Sequence, residues 1–326
     1  MGVWDHWIPG SNAALEAMLQ KWGEANGVEI EVDFISSVGN KLLLTAQAES
    51  RAGIGHDIYF HGLWMPTMFA RRLEPLDDVV EDILASEGPM VPLAEYLAKV
   101  DGVWRASPSP VGSQTQGMIS RLDLYKKYAD IDLQEIFPGP GQDRNTDLVN
   151  AWDYDALLEA GQKLHEVGHG IGGPLAATVD ASCWLAPTFA AHGAELVNKD
   201  GDIVVDSEEV RTVLEYLSKL ARTMPESVYA WDDAGNNRWM VSGKGSSVFN
   251  APSPWNVAKR DAPQFAEQMW CHDLPRGPHG RYRNFIPTFW GIWDFSENIS
   301  AAKDLLRHVA TRDVTYQMSQ VTDGYD

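Results

Sequence analysis

The motif with the most specific chemistry in this chain is His165-Glu166-Val167-Gly168-His169, which matches the H-E-x-x-H zinc signature. On a helix the two histidines would share a face and bind zinc, and the glutamate would act as general base. The longer metzincin form requires a third histidine at position 175, where this chain has Leu175. Glu195 is an alternative third ligand, although no supporting pattern surrounds it. A zinc metallopeptidase is therefore one functional hypothesis.

The same residues also fit the end of a helix. Asp153 is a suitable N-cap for a helix that runs to about His165, and four glycines follow between Gly168 and Gly173. Histidines in a last helical turn complement the helix dipole. Because glycines in such density terminate a helix, we favour a helix that stops before His169, with no metal bound.

A second group of residues suits a sugar, since aromatic rings stack on its apolar faces and polar groups bond its hydroxyls. The chain has 13 tryptophans, an unusual number. The candidate ligand contacts lie in loops that follow predicted strands, near the lobe crossings and at predicted helix termini. They are Trp7, Asn12, Ser36, Ser37, Asn40, His61, Trp64, Gln114, Trp184, Asn250, Trp255 and Trp290. Trp255 is the strongest of them, because it lies in a proline-rich loop that cannot bury a bulky ring by regular packing.

Other polar and aromatic residues have a structural interpretation. Trp22 and Trp104 are expected in the core. The segment from Asp232 to Trp239, with Asn236 and Asn237, is predicted to be a capped surface helix. Arg281 and Arg283 would bind an anionic ligand if they line a site, although solvated charges beside a Gly-Pro loop are the simpler interpretation.

The elements that position these residues alternate in type at the start of the chain. Strands are predicted at 4–7, 28–34 and 58–60, each followed by a helix, with Gly27 ending the first helix. A β-α-β-α-β-α order is typical of a parallel sheet covered on both faces. Such sheets bind ligands beyond the carboxyl ends of their strands. Residues 101–111 contain prolines in an extended crossing, which marks a candidate hinge between lobes.

Composition limits the class of protein. A length of 326 residues suggests two domains, and 44% apolar with 22% charged residues is typical of a globular protein. A net charge of −20 argues against a nucleic-acid partner, because phosphate contacts need clustered Lys and Arg. The two cysteines, Cys183 and Cys271, form either one bridge or two buried thiols. No signal peptide opens the sequence.

An ordered series of short motifs covers nearly the whole chain. They are the Trp-rich first strand with Pro9-Gly10, Asp57-Ile58-Tyr59-Phe60 running into Leu73-Glu74-Pro75-Leu76, Asp101-Gly102-Val103-Trp104 with Pro108, residues 152–158, Lys199-Asp200-Gly201, residues 241–246, Pro254-Trp255, residues 274–278, and Ser296-Glu297-Asn298. In this order they resemble the family 1 extracellular solute-binding proteins of ABC importers, of the maltose- and oligosaccharide-binding type.

The resemblance implies a fold and a set of boundaries. The fold is α/β and two-lobed, of the class II periplasmic-binding-protein type, with a hinge and an interlobe ligand cleft. The lobes are expected at 1–108 with 290–326, and at 109–289. Members of the family usually continue for several more helices beyond the point where this sequence stops, at Asp326, so the second lobe is expected to lack C-terminal helices. The resemblance also places a stacking aromatic at Trp255 and makes 153–169 a scaffold helix.

The expected function is a non-enzymatic, exported binding protein, periplasmic or otherwise extracytoplasmic. It would capture a carbohydrate or polyol by domain closure and present it to the membrane subunits of an ABC permease. It is expected to be a monomer without a cofactor. Two alternatives stay open: a binding protein for a charged ligand (a sugar or polyol phosphate, a polyamine or a peptide), and the zinc metallopeptidase.

Overall fold

The computed structural model describes residues 1–8 and 10–322, so Pro9 of the Pro9-Gly10 motif and Asp326 lie outside the described residues. The chain forms two compact units, unit 1 (1–114 and 285–326) and unit 2 (115–284). The sequence predicts boundaries after residues 108 and 289, whereas the chain passes into unit 2 after Gln114 and leaves it after Asn284.

The strands are β1 (Gly2–Trp4), β2 (Asp33–Ile35), β3 (Ile58–Gly62), β4 (Lys99–Val100), β5 (Val103–Trp104), β6 (Ser107–Pro108), β7 (Gln114–Arg121), β8 (Ile171–Gly172), β9 (Ser247–Asn250), β10 (Met269–His272), β11 (Asn284–Ile286) and β12 (Thr288–Ile292).

The α-helices are α1 (Ser11–Asn26), α2 (Lys41–Ala52), α3 (Met65–Phe69), α4 (Asp77–Glu87), α5 (Pro92–Ala98), α6 (Leu122–Leu124), α7 (Leu133–Ile136), α8 (Thr146–Ala151), α9 (Tyr154–Glu166), α10 (Val179–Ala191), α11 (Glu208–Ala221), α12 (Gly235–Val241), α13 (Ser253–Asp261), α14 (Pro263–Ala266), α15 (Ile299–Val309) and α16 (Arg312–Val321). Short helical turns cover Val38–Asn40, Ala70–Arg72, Tyr125–Ala129 and Glu226–Ala230.

Unit 1 is built on a five-stranded sheet in the order β2-β1-β3-β12-β6. Strands β1, β2 and β3 are parallel and alternate with helices, as the sequence predicts. Strand β12 runs antiparallel to both β3 and β6. The carboxyl ends of β1, β2 and β3 therefore share one edge with the start of β12.

Unit 2 is built on a second sheet, in the order β10-β7-β9-β8. Strand β7 is antiparallel to β9 and β10, and β8 is parallel to β9. Its main core packs helix α9 through Leu157 and Leu164 against Ile171 and Phe249 of the sheet. A smaller cluster under α12 and α13 includes Met240 and Val248. These apolar contacts hold the sheet edge and the helix starts around it in fixed positions.

Two predicted strands are shifted. The first strand ends at Trp4 and does not cover 4–7, because the Asn12 side chain accepts from the His6 amide at 3.0 Å and His6 Nδ1 accepts from the Ile8 amide at 2.9 Å. Side-chain hydrogen bonds thus stabilise a turn where the sequence pattern predicts a strand. The second strand covers only Asp33–Ile35, because the Ile30 carbonyl accepts from the Gln20 side chain at 2.7 Å.

The helix predictions agree more closely with the structure. Asp153 caps α9 by accepting from the Ala156 amide at 2.8 Å. Gly27 ends α1 in the left-handed conformation, φ +67°, as expected of a C-terminal glycine.

Cys183 and Cys271 are free thiols, the first buried and the second exposed. Among the described residues, no helix is long and apolar enough to cross a membrane.

Candidate functional site

One edge of the unit 2 sheet gathers polar residues from four elements. Gly117 near the start of β7 pairs with Asn250 at the end of β9, so Gln116 and Asn250 lie at the same edge. Because β8 is parallel to β9, it also ends there, and the chain after it leads to the start of α10. This is the type of edge at which α/β sheets bind ligands.

The Asp180 carboxylate, in the first turn of α10, is the centre of this group. Its Oδ2 accepts from the Asn236 amide at 2.8 Å and from the Asn250 amide at 3.3 Å. Its Oδ1 accepts from the Gln116 amide at 3.5 Å. The Asp233 carboxylate lies close enough for its charge to act on Asp180. We call these five residues, Gln116, Asp180, Asp233, Asn236 and Asn250, the Asp180 cluster.

Burial gives the Asp180 cluster unusual electrostatics. Desolvation, together with the nearby Asp233 carboxylate, raises the pKa of the Asp180 carboxyl to about 7, against the lowering effect of the amide donors. Desolvation also raises the pKa of Asp233. Perturbed carboxylates of this kind concentrate at functional sites.

Part of the cluster's hydrogen-bonding capacity is unused. Gln116 is 2% exposed and Asn236 is 0% exposed, yet the amide oxygens Gln116 Oε1 and Asn236 Oδ1 have no partner in the structure. Asp233 Oδ1 is also buried without a partner. An unsatisfied buried polar atom costs about 1–3 kcal/mol, so three in one place indicate a site built for something other than stability.

Asn237 and Ser253 extend the polar surface beside the cluster. The Ser253 hydroxyl, at the start of α13, donates to Asn237 Oδ1 at 3.4 Å. Both residues are buried. The prediction that 232–239 forms a surface helix is therefore wrong for Asn236 and Asn237, because α12 turns its amides inward to the network around Asp180.

In unit 1, six of the predicted contacts follow the carboxyl ends of the parallel strands and have exposed or half-buried side chains: Trp7, Asn12, Ser36, Ser37, Asn40 and Trp64. Trp64 is 46% exposed at the start of α3. The Asn12 side chain is already committed to the turn after β1, since it also donates to Asp5 at 2.7 Å. The unit 1 edge thus offers two tryptophans and several hydroxyl and amide groups.

Three predicted contacts lie in the cores instead. His61 is 0% exposed, and its ring meets the Trp293 ring edge-on at 5.4 Å. Trp184 is 1% exposed and stacks on Phe249 at 4.5 Å. Trp290 is 0% exposed and belongs to β12 of unit 1. In this structure none of the three rings presents a surface for stacking.

The two remaining contacts are Gln114, the last residue of the first segment of unit 1, and Trp255 of α13 in unit 2. Gln114 is half-buried at the start of β7, and its Oε1 has no partner in the structure. Trp255 is half-buried; its indole nitrogen donates to the Ala266 carbonyl at 3.0 Å, and the Lys259 ammonium lies 4.7 Å from its ring centroid. Trp255 therefore lies in the first turn of α13 and packs against the core of unit 2, contrary to the expectation of a loop that cannot bury it.

The arginines that would suit an anionic ligand are bound within unit 2. The Arg281 guanidinium donates to the backbone carbonyls of Leu274, Val149 and Trp152. Arg283 pairs with Asp273, which is 8% exposed. Both cations thus tie loops of unit 2 together.

The zinc-like motif coincides with the end of α9. Gly168 adopts φ +84°, its amide donates to the His165 carbonyl at 2.9 Å, and the His169 amide donates to the Leu164 carbonyl at 2.8 Å. This pair of bonds is the Schellman arrangement, with glycine just past the helix. His169 therefore lies beyond the helix, and its Nδ1 donates to the Lys244 carbonyl at 3.2 Å. Within the described residues, no three His, Cys, Asp or Glu side chains are grouped to hold a metal ion.

Sequence reasoning missed Gln116, Asp180 and Asp233. Asp180 follows a threonine cap in the first turn of a helix, where an acidic residue is ordinary. Gln116 stands in a strand with no motif around it. The one available signal was the Asn236-Asn237 pair, because asparagine is a poor helix former and two in succession inside a helix suggest another role.

The family model described as bacterial extracellular solute-binding protein matches residues 8–316. The comparison with curated proteins gave no match.

Among solved structures, maltose-bound MalE3 of T. maritima is 20% identical, with 98% of this chain and 78% of that chain covered at a TM-score of 0.77. The GacH receptor of Streptomyces glaucescens, solved with acarbose, is 17% identical, with 99% and 78% covered at 0.75. A ribitol-bound ABC transporter solute-binding protein of Agrobacterium radiobacter K84 is 14% identical, with 96% and 77% covered at 0.76. These similarities establish the mixed α/β fold, and the family match spans most of the sequence. The chain belongs to the bacterial extracellular solute-binding protein family.

Proposed function

We propose that this protein binds a carbohydrate or polyol outside the cytoplasm and presents it to an ABC permease. The observation that carries the proposal is the Asp180 cluster, in which buried amide oxygens remain without partners at a ligand-binding type of sheet edge. Carboxylate and amide groups held in this way bond hydroxyl groups. The structural relatives named above were solved with maltose, acarbose and ribitol, and a further one with D-mannitol.

In unit 2 the proposed contacts are the Asp180 cluster and Trp255. In unit 1 they are Trp7, Asn12, Ser36, Ser37, Asn40, Trp64 and Gln114. The tryptophans would supply stacking faces and the polar residues would supply hydrogen bonds. We retain His61, Trp184 and Trp290 as supports of these edges, because their rings are buried. The protein would act as a periplasmic or otherwise extracytoplasmic monomer without enzymatic activity.

Of the two alternatives, an anionic ligand would need the arginines, and Arg281 and Arg283 are bound to carbonyls and to Asp273. A zinc peptidase would need both histidines on one helix, and α9 ends between them. A polyamine is the charged ligand that two half-buried carboxylates would suit, so amines belong among the compounds to be tested.

The experiment is thermal melting of the protein with neutral sugars, polyols, sugar acids, sugar phosphates, polyamines and amino acids. A ligand at about a hundred times its dissociation constant should stabilise the protein by roughly 2.7 kcal/mol. We expect the melting temperature to rise with a group of neutral sugars or polyols. A rise with anions alone, or with amino acids alone, would contradict the proposal.

A further inference from the structure

The Asp180 carboxylate determines which way the neighbouring amides face. Above its pKa of about 7 the Asp180 carboxylate is ionised and has no proton to donate, so each amide beside it must turn its NH2 group toward it. Asn236 and Asn250 both approach Oδ2, and Gln116 approaches Oδ1. The orientation of three amides is therefore fixed by one charge.

Once the NH2 groups face Asp180, the amide oxygens must face elsewhere. Asn250 Oδ1 accepts from the Ala251 amide at 2.7 Å, so it is used within the backbone. Gln116 Oε1 and Asn236 Oδ1 are left without partners on side chains that are 2% and 0% exposed. Asp233 Oδ1 is the third unpartnered buried atom of the cluster.

All three of these unpartnered atoms are hydrogen-bond acceptors, and two carboxylates lie among them. A ligand satisfies such a surface only by donating hydrogen atoms, as hydroxyl and ammonium groups do. A carboxylate or phosphate group donates nothing at neutral pH and would also be repelled by Asp180 and Asp233. Buried polar groups that a ligand leaves unpaired are the strongest source of discrimination.

We infer that Asp180 is a specificity-determining residue that makes the Asp180 cluster an acceptor surface, selective for ligands with hydroxyl or ammonium donors and closed to sugar acids and sugar phosphates. This inference rests on the proposed function for the identity of the ligand class. The orientation of the amides is a property of the ligand-free protein and stands by itself.

The binding test compares matched pairs of probes by titration calorimetry at pH 8, where Asp180 is ionised: maltose with maltobionate, and D-mannitol with D-mannitol 1-phosphate. For wild type we expect the neutral member of a pair to bind at least about 10-fold more tightly than the anion. Asp180→Asn keeps the shape but removes the charge, so the neutral member should bind about 10- to 100-fold more weakly and the preference should fall below about 3-fold. Asp200→Asn, at an exposed turn, is the matched control and should change neither the affinity for the neutral probe nor its preference over the anion.

An unchanged preference in Asp180→Asn would overturn the inference. The second measurement needs no ligand: side-chain amide NMR signals of Asn236 and Gln116 in wild type, Asp180→Asn and Asp200→Asn. We expect these signals to move in Asp180→Asn and to titrate together with the Asp180 carboxyl in wild type, and signals indifferent to both would overturn the inference. If none of the probes binds but the amides respond to Asp180, the proposed ligand class fails while the acceptor surface stands.

Discussion

The Asn236 side-chain amide donates to the Asp180 carboxylate at 2.8 Å, joining residues 56 positions apart in the sequence. This bond links the start of α10 to α12 and leaves the Asn236 oxygen buried without a partner. The arrangement costs stability, since both the partly desolvated charge of Asp180 and the unsatisfied buried oxygen of Asn236 are unfavourable in the ligand-free protein. A ligand that donates to the oxygen would recover part of that free energy.

Asp180→Asn should stabilise the ligand-free protein in a pH-dependent way. The folded-state pKa of Asp180 is raised from 3.8 to about 7, so between these values the folded protein binds a proton that the unfolded chain does not. The contribution of Asp180 to the free energy of unfolding of wild type therefore falls as pH rises from about 4 to 7, and it is lowest above pH 7. The titratable groups facing it are Asp233 and Cys183.

Removal of the charge eliminates this loss. We expect the free energy of unfolding of Asp180→Asn to exceed that of wild type by about 1–3 kcal/mol at pH 8 and by much less at pH 4.5, as measured by melting at both pH values. The Asp200→Asn control should follow wild type. A variant that is less stable than wild type at pH 8 would show that the charge of Asp180 supports the fold.

His61 should make unit 1 sensitive to acid. Desolvation lowers the folded-state pKa of His61 from 6.5 to about 3, and neither ring nitrogen has a partner among the described residues. As pH falls through 6.5 the unfolded chain gains a proton that the folded protein cannot accept, so stability falls by up to about 1.4 kcal/mol per pH unit.

His61→Leu, similar in volume, should remove this contribution. When the pH is lowered from 7 to 5, the free energy of unfolding of the variant should fall by about 2 kcal/mol less than that of wild type, as measured in melting or denaturant experiments. His165→Leu, at an exposed position, is the control and should keep the wild-type pH profile. Equal acid sensitivity in wild type and His61→Leu would contradict the buried, neutral state of His61.

Arg281→Lys should destabilise unit 2 without altering ligand preference. A lysine cannot reach the carbonyls of Leu274, Val149 and Trp152 together, because that contact uses the planar fork of the guanidinium. We expect a loss of about 2 kcal/mol in stability and an unchanged ratio of affinities for neutral and anionic probes. A selective loss of anion binding would instead assign Arg281 to a ligand site.

Trp255 stays a predicted stacking contact, and two substitutions separate stacking from packing. Trp255→Phe keeps a ring but loses the bond from the indole nitrogen to the Ala266 carbonyl, so we expect about 1 kcal/mol less stability and ligand affinity within a few-fold of wild type. Trp255→Ala should weaken binding at least about 10-fold. Wild-type affinity in both variants would limit Trp255 to packing in unit 2.

Local patterns in the sequence predicted the elements well where residues close in sequence satisfy the backbone hydrogen bonds. Asp153 caps α9 and Gly168 ends it, as the residue types require. The parallel β1-β2-β3 arrangement follows from alternating strands and helices. Strand limits were less accurate, because the Asn12 side chain, six residues further along, ends β1 by accepting from the His6 amide.

The site was harder to predict because burial of polar residues is a tertiary property. Asn236 is a surface residue by type, and only its bond to Asp180 explains its burial. Conversely, Trp184 and Trp290 fit a sugar site by type, and only the contacts around them place them in the cores. A single sequence does not reveal which asparagine or which tryptophan a fold will bury.

Titration of neutral sugars and polyols into wild type and Asn236→Ala tests the central claim most directly. We predict saturable binding to wild type and at least about a 10-fold loss of affinity in the variant, because the buried amide oxygen that meets the ligand is removed. Melting of the ligand-free variant verifies that it is folded. Equal affinity of wild type and Asn236→Ala for the same sugar would contradict the assignment of the ligand site to the Asp180 cluster.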